Sequence, residues 1–219
     1  MSAAQPIADP HVEVRDLTIS VGPRAIVDGV SFAIPRGDVL ALIGESGSGK
    51  TTIALSLLGH TRHGARISGG TIRIGETRVD RLDRAGLMAL RGRRVSYVAQ
   101  SAAAAFNPSR PLLAQVIEPL LVHRLATRAE AEARAIELFR ALALPAPETI
   151  GGRYPHQVSG GQLQRLMAAM ALVTGPELVV LDEPTTALDV TTQVEVLHAF
   201  KAALASVGAT AIYVSHDLA

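Results

Sequence analysis

The chain has 219 residues, enough for one sizeable core with room for an inserted subdomain. A formal net charge of +1 gives no sign of a nucleic-acid or anionic-membrane surface, and the absence of cysteine excludes disulfides, Cys-ligated zinc and iron–sulfur clusters. Hydrophobic residues make up 48% of the chain, yet no apolar run approaches the ~20 residues that span a bilayer, and Met1–Pro10 lacks the charged and apolar regions of a signal peptide.

From the N-terminus, Val12–Ile19 and Val30–Ile34 alternate apolar with polar or small residues, the pattern of half-buried antiparallel strands. Val39–Ile43 is continuously apolar and predicts a strand buried on both faces. A helix is expected over Thr52–Leu58, a short hairpin over Thr71–Ile74 and Thr77–Val79 around Gly75, and a strand over Arg94–Val98. Between Ala102 and Val158 the period turns helical, with helices predicted over Leu112–His123 and Arg128–Leu142. Pro145, Pro147, Gly151, Gly152 and Pro155 then break the chain into a loop. Leu178–Leu181 and Ala211–Val214 are two further buried-strand runs. The order is therefore α/β core, helical insert, α/β core.

Two glycine-bearing motifs stand out. The first is Gly44-Glu45-Ser46-Gly47-Ser48-Gly49-Lys50-Thr51-Thr52, set between the strand Val39–Ile43 and the helix that follows. Glycine lets backbone N–H groups turn inward onto phosphate oxygens without a Cβ in the way. A helix that starts at the loop adds its dipole. Lys50 is placed to reach β- and γ-phosphates and Thr51 to offer its hydroxyl to Mg2+. Lys50 is also one of only two lysines, the other being Lys201, although the chain holds 21 Lys and Arg in all; a compact ammonium suits the loop where a broad guanidinium fits badly. The second motif, Val158-Ser159-Gly160-Gly161-Gln162, opens the periodic run Leu163–Ala168, so a small polar cap exposes helix N–H groups that can take a γ-phosphate held elsewhere.

Asp182 and Glu183 follow the buried run Leu178–Leu181, at the C-terminal edge of a strand where open α/β sheets bind ligands. Asp182 is positioned to hold Mg2+, through water, and Glu183 to orient and deprotonate an attacking water. Pro184 turns the chain away at once. His60 and His63 have a spacing that metal sites use, but no carboxylate or cysteine cluster accompanies them, and they read as solvated residues.

Together these residues resemble the ATP-binding-cassette (ABC) ATPases over nearly the whole chain. Gly44–Thr52 looks like their Walker A motif, Leu178–Glu183 like Walker B with its catalytic glutamate, and Val158–Gln162 like the signature motif with Val in place of Leu. Gln100 resembles the Q-loop glutamine, Ala187-Leu188-Asp189 the D-loop and His216 the switch histidine. The resemblance implies a P-loop NTPase core with an N-terminal antiparallel β subdomain and an inserted α-helical subdomain. The α/β core then covers about 11–100 and 163–219, and the helical subdomain about 101–162. It also implies that two ATPs, each with Mg2+, are sandwiched in a head-to-tail dimer with a second cassette subunit. There Ser159, Gly160, Gly161, Gln162 and Asp189 face the partner's nucleotide. Gln100 would sense Mg2+ or water, and His216 would contact the γ-phosphate and position Glu183.

Gln100 to Pro119, with Ala105-Phe106-Asn107-Pro108 inside it, and Arg153-Tyr154-Pro155-His156-Gln157 resemble the oligopeptide, dipeptide and nickel importer branch. The implied protein is a cytoplasmic subunit, peripheral on the inner face of the membrane. It would energise uptake of a peptide, nickel or a related solute through a permease fed by an extracytoplasmic binding protein. Alternatives are a cassette ATPase serving a soluble enzyme complex, such as a phosphonate-cleaving system, and a nucleotide-binding module that closes without turnover. Two departures stand out. The family often stacks adenine on an aromatic upstream of the phosphate loop, where Val21 or a neighbour stands here. The chain also stops at Ala219, soon after His216, where family members normally continue, so a shortened domain with an exposed sheet edge is expected.

Overall fold

The structure is a computed structural model that describes residues 9–62, 64–186 and 188–216. Met1–Ala8, His63, Ala187 and the residues after His216 lie outside the described residues.

The chain opens with a hairpin of β1 (Val12–Val21) and β2 (Arg24–Ile34), then β3 (Val39–Ile43), which runs into the glycine-rich loop and α1 (Lys50–Ser56). β4 (Ala65–Ile74) and β5 (Thr77–Arg78) return to the hairpin and give an antiparallel sheet of order β2-β1-β4-β5. β1 buries Val12 and Val14 and then Leu17 and Ile19, so its apolar period slips by one residue. A bulge at Asp16 (φ 49) absorbs the slip, where both neighbouring registers shift. Gly70 is obligatory opposite it, because a Cβ there would lie 2.4 Å from the Asp16 carbonyl oxygen.

α2 (Arg84–Leu90) leads to β6 (Val95–Val98), and a helical segment follows: α3 (Ala102–Ala105), α4 (Leu112–Val116), α5 (Glu118–Val122) and α6 (Arg128–Ala141). The helix predicted over Leu112–His123 is two short helices that meet at Ile117. Pro119 has no N–H to donate to the preceding turn, which ends the continuous ladder there. α7 (Gly160–Leu172), β7 (Leu178–Asp182), α8 (Val190–Val207) and β8 (Thr210–Ser215) complete the described elements. Strands β3-β8-β7-β6 form a parallel sheet in that order.

β7 is buried along its whole length because each of its faces meets a different core. Leu178 and Val180 join α1 and the antiparallel sheet, whereas Val179 and Leu181 join α7, α8 and the helical segment. β3 corrects the expectation drawn from its apolar run. It pairs only with β8 among the described residues, and Val39 and Ile43 are 57% and 49% exposed. Apolarity marked a strand without marking its place in the sheet. Among the described residues no helix is long and apolar enough to cross a membrane.

Candidate functional site

The phosphate loop lies between the C-terminal end of β3 and α1, and its backbone turns through left-handed φ at Gly47 (82°) and Gly49 (92°). Gly49 is also tightly enclosed: a Cβ there would lie 3.3 Å from both the Ile26 carbonyl oxygen and Val27 Cγ2. This contact sets the loop against β2. Gly49 caps α1 without a side-chain hydrogen bond, so the first N–H groups of the helix are not taken by a side chain. Lys50, 8% exposed, donates from Nζ to Gly44 O (2.7 Å), Glu45 O (2.6 Å) and Ser48 Oγ (3.3 Å). Its charge is therefore held by neutral carbonyl dipoles, which phosphate oxygens outbid as acceptors.

Thr51 leaves the cradle and donates from Oγ1 to Asp182 Oδ1 at 2.9 Å. Asp182, only 4% exposed, accepts at its other oxygen from Tyr97 Oη at 2.7 Å. Burial, and then the Asp182 carboxylate, push the Tyr97 phenol well above its ordinary range, so it stands as a proton donor. Glu183 follows in a left-handed backbone conformation (φ 49), unusual for a residue with a Cβ, and its N–H donates to Val214 O. Its Oε1 lies 3.1 Å from His216 Nδ1. Its Oε2 accepts from Gln100 Nε2 at 3.1 Å and from Thr186 Oγ1 at 3.3 Å. An open cleft of about 430 Å³ beside this carboxylate is lined in part by Glu183, Thr186, Ser215 and His216.

Lys50, Thr51 and Asp182 thus form one group and Gln100, Glu183 and His216 another, on the C-terminal edge of one sheet. Gln100, expected near the cation, has its amide on Glu183 and not on Thr51 or Asp182. Tyr97 and Thr186 were not anticipated. Thr186 lies three residues past Glu183 in a turn, and that spacing was its only available signal.

The second glycine motif is elsewhere. Ser159 caps α7 in a reciprocal box, its Oγ accepting from Gln162 N while Gln162 Oε1 accepts from Ser159 N. Gly161 allows close packing on α8, since a Cβ would lie 2.6 Å from Thr192 Cγ2. Asp189 caps α8 through Thr192, whose hydroxyl and then N–H hold the Asp189 carboxyl below its usual range. Ala187, beside it, lies outside the described residues. Among the described residues no hydrogen bond joins the Ser159–Gln162 cap to the Lys50 cradle. Gln164, buried one turn further on, donates to Ala99 O next to Gln100. His60 is exposed, as are Val21 (43%) in β1 and Ile26 (40%), whose carbonyl oxygen lies against Gly49.

A strand–loop–helix cradle with paired carboxylates at the end of β7, one strand removed from β3 in the same sheet, defines a P-loop nucleotide-binding fold. The ABC transporter family pattern matches residues 27–186, and the chain belongs to that family. It is 38% identical to the oligopeptide transport ATP-binding protein AppD of Bacillus subtilis over 90% of this chain and 60% of that protein. It is 34% identical to the dipeptide transport ATP-binding protein DppD of Haemophilus influenzae over 95% of this chain and 64% of that one. The chain thus spans about two thirds or less of the length of these relatives. Among solved structures, the ATP-binding cassette MJ0796, a dimer in a post-hydrolysis state bound to ADP and Pi, superposes with a TM-score of 0.78 at 27% identity, covering 94% of this chain and 88% of that one.

Proposed function

We propose that the chain is the ATP-binding and ATP-hydrolysing subunit of a membrane importer for peptides. The observation that carries the reading is the convergence of Thr51 and Asp182, 2.9 Å apart, beside a glutamate held by its own donors. ATP binding draws Lys50 off the carbonyls of Gly44 and Glu45 and onto the β- and γ-phosphates. Thr51 would supply an oxygen ligand of the kind Mg2+ prefers and Asp182 would hold the cation through water; the cation would neutralise phosphate charge. Among the described residues no three His, Cys, Asp or Glu side chains converge, and the side chains at this site would supply only part of a cation's oxygen ligands. Glu183 orients the attacking water and takes its proton, with Gln100 and His216 fixing its two oxygens.

The separation of the Ser159 cap from the cradle supports a dimer in which each cap faces the partner's γ-phosphate, and the dimeric state of MJ0796 supports the same arrangement. The names of the relatives support peptide cargo and a transport role; a permease pair, an extracytoplasmic binding protein and a place on the cytoplasmic face are the wider assembly proposed with it. The test compares the protein with Lys50→Ala. The protein is expected to hydrolyse ATP with Mg2+, whereas the variant loses at least about tenfold in nucleotide affinity and its turnover with it. Equal affinity in both would overturn the reading.

A further inference from the structure

We propose that Tyr97 is a positioning residue for the divalent cation, its hydroxyl holding one oxygen of Asp182 so that the other is presented to Thr51 and the phosphate cradle. The inference rests on the ATPase reading above and assigns a residue that the sequence motifs leave out. Asp182 is nearly enclosed, and each of its oxygens has one named donor: Thr51 at 2.9 Å on Oδ1 and Tyr97 at 2.7 Å on Oδ2. A carboxylate fixed at one oxygen cannot rotate about its terminal torsion without breaking that bond, and this torsion is otherwise soft. When Thr51 turns its hydroxyl oxygen to the cation, the Tyr97 bond is the one that keeps Oδ1 aimed.

The chain places Tyr97 there by register. In the parallel pairing of β6 with β7, Tyr97 lies opposite Val180, and Asp182 is two residues further along. Only a long side chain spans that offset. The ring packs against the core shared by α1 and the antiparallel sheet, so its direction is set by packing. Arg62 also approaches the phenol oxygen. A guanidinium only donates, which leaves the phenol proton for Asp182. The same end of β6 serves the next carboxylate too, since Gln100 reaches Glu183. Tyr97 in β6 and Gln100 just after it therefore hold Asp182 at the end of β7 and Glu183 just after it.

The experiment measures affinity for a fluorescent ATP analogue with Mg2+ and in EDTA, for the protein and for Tyr97→Phe, which keeps the ring. Removing an outer-shell hydrogen bond that orients a metal site lowers metal affinity about 10–100-fold. The expected result is that Tyr97→Phe loses about tenfold of the Mg2+-dependent gain while its affinity in EDTA stays within about twofold. Unchanged Mg2+ dependence overturns the assignment, and so does an equal fall in both conditions, which marks a packing role. If the unaltered protein binds no analogue in either condition, the ATPase reading itself has failed and this inference falls with it.

Discussion

The parallel sheet is held at both ends by charged groups, and the two ends behave differently. At the N-terminal ends of β6, β7 and β8, Arg94 pairs with Glu177 at 2.6 Å and donates to Thr77 Oγ1 on β5. Glu177 N and Leu178 N donate to Arg94 O, Thr210 N donates to Glu177 O, and Gly37 N donates to Thr210 Oγ1. The buried His11 has Nε2 3.7 Å from Glu177. These partners all belong to the chain, and the cluster ties the antiparallel sheet to the parallel one. At the C-terminal ends, Lys50, Asp182 and Glu183 are also bonded, but to groups that a phosphate, a cation or a water can replace. The Arg94–Glu177 pair is about a third exposed, so screening holds it to about 1 kcal/mol or less. What separates a pin from a site here is whether the partner is exchangeable, and not the density of charge.

The largest effect that tests this contrast is at Glu183. Glu183→Gln removes the base and keeps the shape, so turnover should fall by at least about a hundredfold with nucleotide affinity nearly unchanged. A collapse of affinity or of the unfolding temperature would mean that the C-terminal end is structural as well. A smaller effect lies in the seam between α7 and α8. Gly161→Ala puts a methyl into Thr192 and should cost about 1–3 kcal/mol in denaturant unfolding. A neutral result would show that the seam gives way more readily than its contacts suggest.

The smallest effect sharpens the N-terminal end. Burial, and then the charge of Arg36, hold the His11 imidazole below its ordinary value of 6.5, with Arg94 adding to the effect and Glu177 opposing it. Below 6.5 the unfolded chain binds a proton that the folded one resists. This contribution to stability is present above pH 6.5 and is lost as pH falls toward the lowered folded value. Glu177 is held below 4.5, chiefly by its hydrogen bond from Arg94, and its contribution is lost only at more acid pH. Unfolding temperatures between pH 7.5 and 5.5 should therefore decline, and His11→Gln should flatten that decline. The same slope in both proteins would remove His11 from the cluster.

The cradle was legible because its information is local: a strand, a glycine pattern and a helix within about twenty residues. The Ser159 cap was legible for the same reason, since residues 159 and 162 satisfy each other. Tyr97 was not, because its partner lies 85 residues away and an aromatic in a strand carries no mark of its hydroxyl's use. The exposure of β3 was hidden too, as an apolar run reports what a strand can pack against and not who pairs with it. Even the bulge at Asp16 left a trace: the apolar positions step from Val14 to Leu17, an odd interval that a regular strand would not show.

Glu183 carries one more consequence. A side chain in its left-handed backbone costs on the order of 1–3 kcal/mol, a burden that glycine at the same place would not bear. Breeding this protein for heat tolerance alone would therefore tend to discard the very residue its chemistry depends on, unless survivors were also screened for work done.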